Sequence, residues 1–175
     1  MHEVYIQVLV ETIKENFQTE QTFVEDVLYV NASRWEAWKR GEETLSQEQN
    51  QKIKNLFSDY EWMLLQKILR QTVIFPEKRT SALSDYKRMK TKVAHKWLQE
   101  KLATVELIPQ ESSVMTSAYL NLKVTISYGE WGFDDILTFR LPASVQQQIE
   151  NERMELLTWV NANLAETYTA TNEVV

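Results

Sequence analysis

Up to residue 103 the hydrophobic residues of this chain recur at helical spacing; from Leu120 to Leu141 they recur at every second position. The second pattern is the stricter one. Leu120, Leu122, Val124, Ile126 and Tyr128 alternate with Asn121, Lys123, Thr125 and Ser127, which is the period of a strand with one buried face. A second run from Ile136 alternates through Leu137, Phe139 and Leu141, and Gly129 and Gly132 punctuate the YGEWGFDD between them. The spacing predicts an antiparallel hairpin, or a three-stranded meander where Val105–Ile108, turning at Pro109, adds a further strand. A hairpin this small cannot bury its face alone, so it must pack on a helix or on a second copy of the chain. Helices first and a small sheet afterwards make an α+β protein.

In the helical part, Tyr5, Val8, Leu9, Ile13 and Phe17 outline a first helix. Ser46 followed by Gln49, and Ser58 followed by Glu61, are capping-box patterns that open helices over about 46–57 and 59–73. The latter carries Trp62, Leu65, Ile68, Leu69 and Val73. Pro76 then ends the bundle, because proline and the residue before it both resist continuing a helix. This sets a first domain at 1–75, a linker at 76–82 and a second domain at 83–170. From Ser81 to Ala103 a basic helix is expected, with Leu83, Tyr86, Met89, Val93, Trp97 and Leu98 on one side and Lys87, Arg88, Lys90, Lys92 and Lys96 on a solvated other side. Pro142 suits the first turn of a last helix through Val145, Ile149, Leu156, Val160 and Leu164 to about Ala165. The tail, TYTATNEVV, reads as loose.

The stretch that speaks to function is Thr19 to Leu45. Phe23, Val24, Val27 and Leu28 follow a Thr19 cap at helical spacing; Trp35 and Trp38 share a face after Asn31, and Gly41 closes the second helix. Two short helices and a tight turn suit a helix-turn-helix, and equally a plain helical hairpin. The run resembles the helix-turn-helix of the Cro/C1-type (XRE) regulators, where a Thr-Gln start leads an apolar helix, a Gly-Val-Ser turn follows and Trp-Glu-Arg-Gly closes the second helix. Here Trp38, Arg40 and Gly41 match. Glu20 replaces the Gln, Tyr29 the turn glycine and Lys39 the Glu. The resemblance covers residues 8 to 73 and implies a five-helix bundle that binds double-stranded DNA as a homodimer. Base contacts would fall to Asn31, Ser33, Arg34 and Ala37, and backbone phosphates to Thr19, Gln21, Lys39 and Arg40.

Charge pulls against that expectation. The net charge is -6, whereas duplex affinity comes largely from Lys and Arg. Residues 1–80 balance at -3, 81–109 at +3 and 110–175 at -6. The other reading is therefore an acidic protein-interaction module that kept the bundle and lost DNA affinity. With no cysteine there is neither disulfide nor thiolate metal site, and no apolar run reaches the ~20 residues of a membrane span. A cytoplasmic, soluble protein is the expectation.

Catalytic chemistry has little to work with, so no enzyme, cofactor or metal is expected. His2 and His95 are the only histidines, and three glycines make no phosphate loop. Glu130, Asp134 and Asp135 in the hairpin turn have the oxygen donors for a divalent cation, but acidic residues at solvated turns usually hold none. Trp131 and Phe133 beside them are expected to fold back over the core. Trp35, Trp38, Trp62, Trp97 and Trp159 fall on apolar helix faces and read as core before they read as base-stacking platforms.

Overall fold

The computed structural model describes residues 2–109 and 119–170. Among the described residues, eight α-helices and a three-stranded antiparallel sheet make the protein α+β, with the helices dominating its first half. It divides into two compact units, Met1–Tyr86 and Lys87–Val175.

The first unit holds α1 (His2–Phe17), α2 (Glu20–Phe23), α3 (Ala32–Lys39), α4 (Gln47–Lys54) and α5 (Asp59–Ile74). Local chemistry sets most of their ends. The Ser46 and Ser58 hydroxyls accept from the Gln49 and Glu61 N–H groups at 3.1 Å, and those two side chains accept from the serine N–H groups at 2.9 Å. Each box satisfies two N-terminal donors that the helix itself leaves open. Val8, Leu9, Ile13, Phe23, Leu28, Trp35, Ile53 and Leu65 are almost wholly buried. Tyr5 joins this core from its margin, its ring edge-on to both Trp38 and Trp62, and burial pushes its hydroxyl up to about 12. Val73, expected on the buried stripe of α5, is exposed; Leu64 and Thr72 are buried instead.

Pro76 opens a short 3-10 helix, Pro76–Ser81, that runs into α6 (Ala82–Gln99). The buried side of α6 keeps Tyr86, Trp97 and Leu98, as expected, but departs at Met89, Lys87 and Lys90. Ala82, Tyr86, Lys87, Lys90, Thr91, Ala94, Trp97 and Leu98 are buried, and Met89 is exposed. Lys87 and Lys90, read from the sequence as solvated, are each only 2% exposed. The reason lies in the second unit. Lys90 Nζ donates to the Thr138 carbonyl at 2.7 Å and to the Tyr168 hydroxyl at 3.1 Å, and sits 4.9 Å from the Phe139 ring centre. Lys87 Nζ lies 4.6 Å from the Tyr168 ring centre. A lysine is tolerated inside when hydrogen bonds and aromatic faces replace its water.

The sheet is a meander, β1 (Thr104–Pro109), β2 (Tyr119–Ser127) and β3 (Asp134–Pro142), in that order. Its register puts Leu120 opposite Leu141, Leu122 opposite Phe139 and Val124 opposite Leu137. All six are buried, each worth roughly 1.5–3 kcal/mol of apolar burial. α8 (Leu156–Ala170) packs on β1 and β3 and contributes Trp159, Val160, Leu164 and Tyr168.

The C-terminal helix expected to run unbroken from Pro142 is two helices, α7 (Ser144–Asn151) and α8. Pro142 does not open the first of them; it ends β3, paired with Tyr119. Between the two helices Arg153 takes a left-handed conformation, φ 49°. Trp159 Nε1 donates to Gln148 Oε1 across the bend at 3.3 Å. Thr167–Ala170, assigned from sequence to a loose tail, belong to α8, and the rest of that tail lies outside the described residues.

Candidate nucleic-acid interface

Thr19 is the N-cap of α2, its hydroxyl accepting from the Thr22 N–H at 3.2 Å. The helix widens into a π-helical turn over Val24–Leu28 and stops at Tyr29, whose φ of 54° and ψ of 45° are left-handed. Tyrosine thus adopts the backbone conformation for which glycine is ordinarily chosen. Its ring stands 78% exposed, with Lys52 Nζ 5.4 Å from the ring centre. Lys52 also donates to the Val27 carbonyl at 3.1 Å, so α4 braces the turn from below. Val30 is buried after it, and Asn31 begins the next helix.

Asn31 Oδ1 accepts from the Arg34 N–H at 2.8 Å, the N-cap of α3. The far end closes on Gly41 at φ 78°: the Gly41 N–H bonds to the Trp38 carbonyl and the Glu42 N–H to the Ala37 carbonyl, both at 2.9 Å. This is a Schellman ending. Trp35 and Trp38 stack at 5.0 Å and turn inward, which leaves Ser33, Arg34 and Glu36 outward and Ala37 half-buried.

The cations expected on phosphates have partners of their own. Lys39 Nζ lies 2.9 Å from Glu20 Oε2 and 2.8 Å from Glu36 Oε1. Glu20 Oε2 also accepts from Trp35 Nε1 at 2.8 Å. Burial pulls the Glu20 carboxyl upward, but hydrogen bonds from Lys39 and Trp35 and the nearby Lys39 and Lys14 charges hold it below its ordinary value. Burial likewise opposes the charge on Lys39, and the hydrogen bonds from Glu36 and Glu20 outweigh it and raise the ammonium above its usual range. Arg40 makes a forked pair with Glu42 at 3.0 and 2.9 Å, which raises the one and lowers the other. Arg34 Nη2 donates to the Thr44 carbonyl at 3.0 Å, and Gln21 Nε2 to Glu25 Oε1 at 2.9 Å.

Comparisons with protein families, with curated proteins and with solved structures give no match. What the site is for must rest on its geometry.

The structure thus brings Asn31, Ser33 and Arg34 onto one outward surface at the start of α3 and folds Lys39 into the joint between α2 and α3. Glu20, passed over in the sequence as a departure from the family pattern, is the centre of that joint. The signal was present, since Glu20 and Lys39 depart from the pattern with opposite charges. Of the other candidates, His2 Nε2 bonds the Lys39 carbonyl at 2.9 Å and His95 Nε2 the Val160 carbonyl at 3.1 Å. Among the described residues no group of three or more His, Cys, Asp or Glu is placed to hold a metal ion, so Glu130, Asp134 and Asp135 form no such cluster. No helix among them is long and apolar enough to cross a membrane.

Proposed function

We propose that this chain is a sequence-specific, cytoplasmic DNA-binding transcriptional regulator of the helix-turn-helix type, whose first unit reads the duplex and whose second unit pairs two copies or senses an effector. The observation that carries this reading is Tyr29. A bulky residue held left-handed between two short helices keeps the turn in the form a glycine would give, despite the cost of that conformation to a side chain. The turn presents the N-terminal end of α3, with Ser33 and Arg34, as the surface available to a major groove. Arg34 and Ser33 then read base edges, Asn31 contributes its amide N–H beyond the cap, and Arg40 and Gln21 reach phosphates. Lys39 positions α3 on α2. Both side chains of the Arg40–Glu42 pair are more than half exposed, where solvent screens their attraction, so a phosphate can displace Glu42 at small cost.

The acidic interaction module is the second reading, favoured by one observation: Lys39 and Arg40 are already neutralised by carboxylates of the same chain. Selection from a random duplex pool separates the two. The regulator reading predicts an enriched motif of two related half-sites about one helical turn apart, lost with Arg34→Ala. A pool that shows no enrichment after repeated rounds favours the interaction module.

A further inference from the structure

The β2–β3 hairpin ends in a tip that does not fold back. Ser127 and Asp134 are its last paired residues, and the segment beyond them turns through a 3-10 step, Gly129–Trp131, flanked by left-handed Gly129 and Gly132. Every residue from Ser127 to Asp134 is exposed. Trp131 is 72% exposed and Phe133 58%, contrary to the expectation that they cover the core; the Phe133 ring lies 5.3 Å from that of Tyr128. Rings this exposed are costly to leave in water and are commonly interaction sites. Glu130 and Asp134 flank them, and among the described residues neither carboxylate has an ion-pair or hydrogen-bond partner.

The same unit carries a surface of the opposite kind. Met89, Lys92 and Lys96 are exposed at spacings of three and four along α6, so they form one stripe on the side away from buried Lys90 and Ala94. Lys92 and Lys96 repel each other at i, i+4, and among the described residues neither has a counter-ion. An apolar and cationic stripe thus matches an aromatic and acidic tip, charge for charge, with an indole available to cover an ammonium.

We infer that two copies of this chain associate by seating the hairpin tip of each, Trp131 with Glu130 and Asp134, on the Met89–Lys92–Lys96 stripe of the other. Two such contacts related by a two-fold axis close a dimer and leave neither surface over. The inference rests on the reading above only for the purpose of pairing, and association is measured without DNA, so its failure and a failure to bind DNA are separate results.

The test is sedimentation velocity of the full chain at about 200 µM and about 50 mM salt, where exposed charges are weakly screened. Wild type should sediment as a dimer that dissociates as salt is raised. Trp131→Ala with Phe133→Ala should weaken association at least about tenfold. The charge-reversed chains Glu130→Lys/Asp134→Lys and Lys92→Glu/Lys96→Glu should each be monomeric, because tip and stripe then repel. Mixed in equal amounts they should form a heterodimer, since one contact is then reversed on both sides and the other is native. Circular dichroism of each variant checks that it is folded. A monomeric wild type, assemblies that grow beyond two copies, or a mixture of folded variants that does not pair overturns the inference.

Discussion

Lys39 Nζ lies 2.9 Å from Glu20 Oε2, and the two residues that depart from the helix-turn-helix pattern at opposite ends of the motif are each other's partner. The carboxylate also holds the Trp35 indole, so one acidic group joins the start of α2 to two successive turns of α3. In this chain the angle between the helices is kept by a partly buried charge cluster, which fixes the orientation of the presented face.

Replacing that carboxylate should separate its two roles. Glu20→Gln keeps an acceptor for Trp35 Nε1 and should cost less than about 1 kcal/mol, whereas Glu20→Ala leaves a buried donor unsatisfied and should cost about 1–3 kcal/mol. Urea unfolding at neutral pH measures both. The Glu20 carboxyl sits below its ordinary value of 4.5 in the folded protein, so its contribution is complete above that pH and is lost as pH falls through the lower folded value. The stability difference between wild type and Glu20→Gln should therefore shrink on acidification below about 4.5 and stay flat above it.

Tyr29 makes a second prediction, with a sign that is easily read. Tyr29→Gly relieves a left-handed side chain and gives up a weak contact with Lys52; the net should be a gain of about 0.5–1 kcal/mol in urea unfolding. Tyr29→Val, branched at Cβ, should lose about 1–2 kcal/mol. A destabilised glycine variant would mean that the ring, not the backbone, sets the turn.

Gly41 behaves in the opposite way. A Cβ built there meets nothing nearer than His2 Nε2 at 4.0 Å, so the cost of Gly41→Ala is conformational rather than steric. About 1 kcal/mol should be lost, with fraying of the last turn of α3 seen as faster amide exchange at Gly41 and Glu42.

Lys90 and Lys92 lie two residues apart on α6 and should respond very differently. Lys90→Met removes the two hydrogen bonds that Nζ donates to the Thr138 carbonyl and the Tyr168 hydroxyl and should destabilise by about 1–3 kcal/mol. Lys92→Met on the exposed side should change stability by less than about 0.5 kcal/mol. Thermal unfolding of the two variants checks the burial of one lysine against the exposure of the other.

What the sequence revealed and what it hid divide by distance along the chain. The capping boxes at Ser46 and Ser58, the Thr19 cap, the Gly41 ending and the alternation of β2 and β3 are made by residues within a few positions of each other, and each was legible. The burial of Lys90 is not legible in the sequence because the groups that make it tolerable, Thr138 and Tyr168, lie 48 and 78 residues away. The exposure of Trp131 and Phe133 is not legible because composition tells of aromatic rings and not of how far a turn projects past its last strand pair. The break at Arg153 has neither proline nor glycine to announce it; it is a Schellman ending of α7, in which the Arg153 N–H bonds to the Glu150 carbonyl at 3.2 Å and the Met154 N–H to the Ile149 carbonyl at 3.0 Å, with an arginine in the left-handed position. On the candidate interface, the outward placement of Ser33 and Arg34 was legible from the Trp35–Trp38 spacing; the commitment of Lys39 was not, because its partner sits on the preceding helix.

The central claim, that the α3 surface engages nucleic acid, is tested most directly by fluorescence anisotropy of the full chain on a labelled mixed-sequence duplex, titrated with salt from about 20 to 200 mM. Non-specific binding needs no operator and tracks phosphate contacts, with a log–log slope of about -0.9 for each phosphate neutralised. The account predicts binding at the lowest salt, a steep fall as salt rises, and a flatter, weaker titration for Arg34→Ala with Arg40→Ala. A protein that leaves the duplex free at the lowest salt contradicts it.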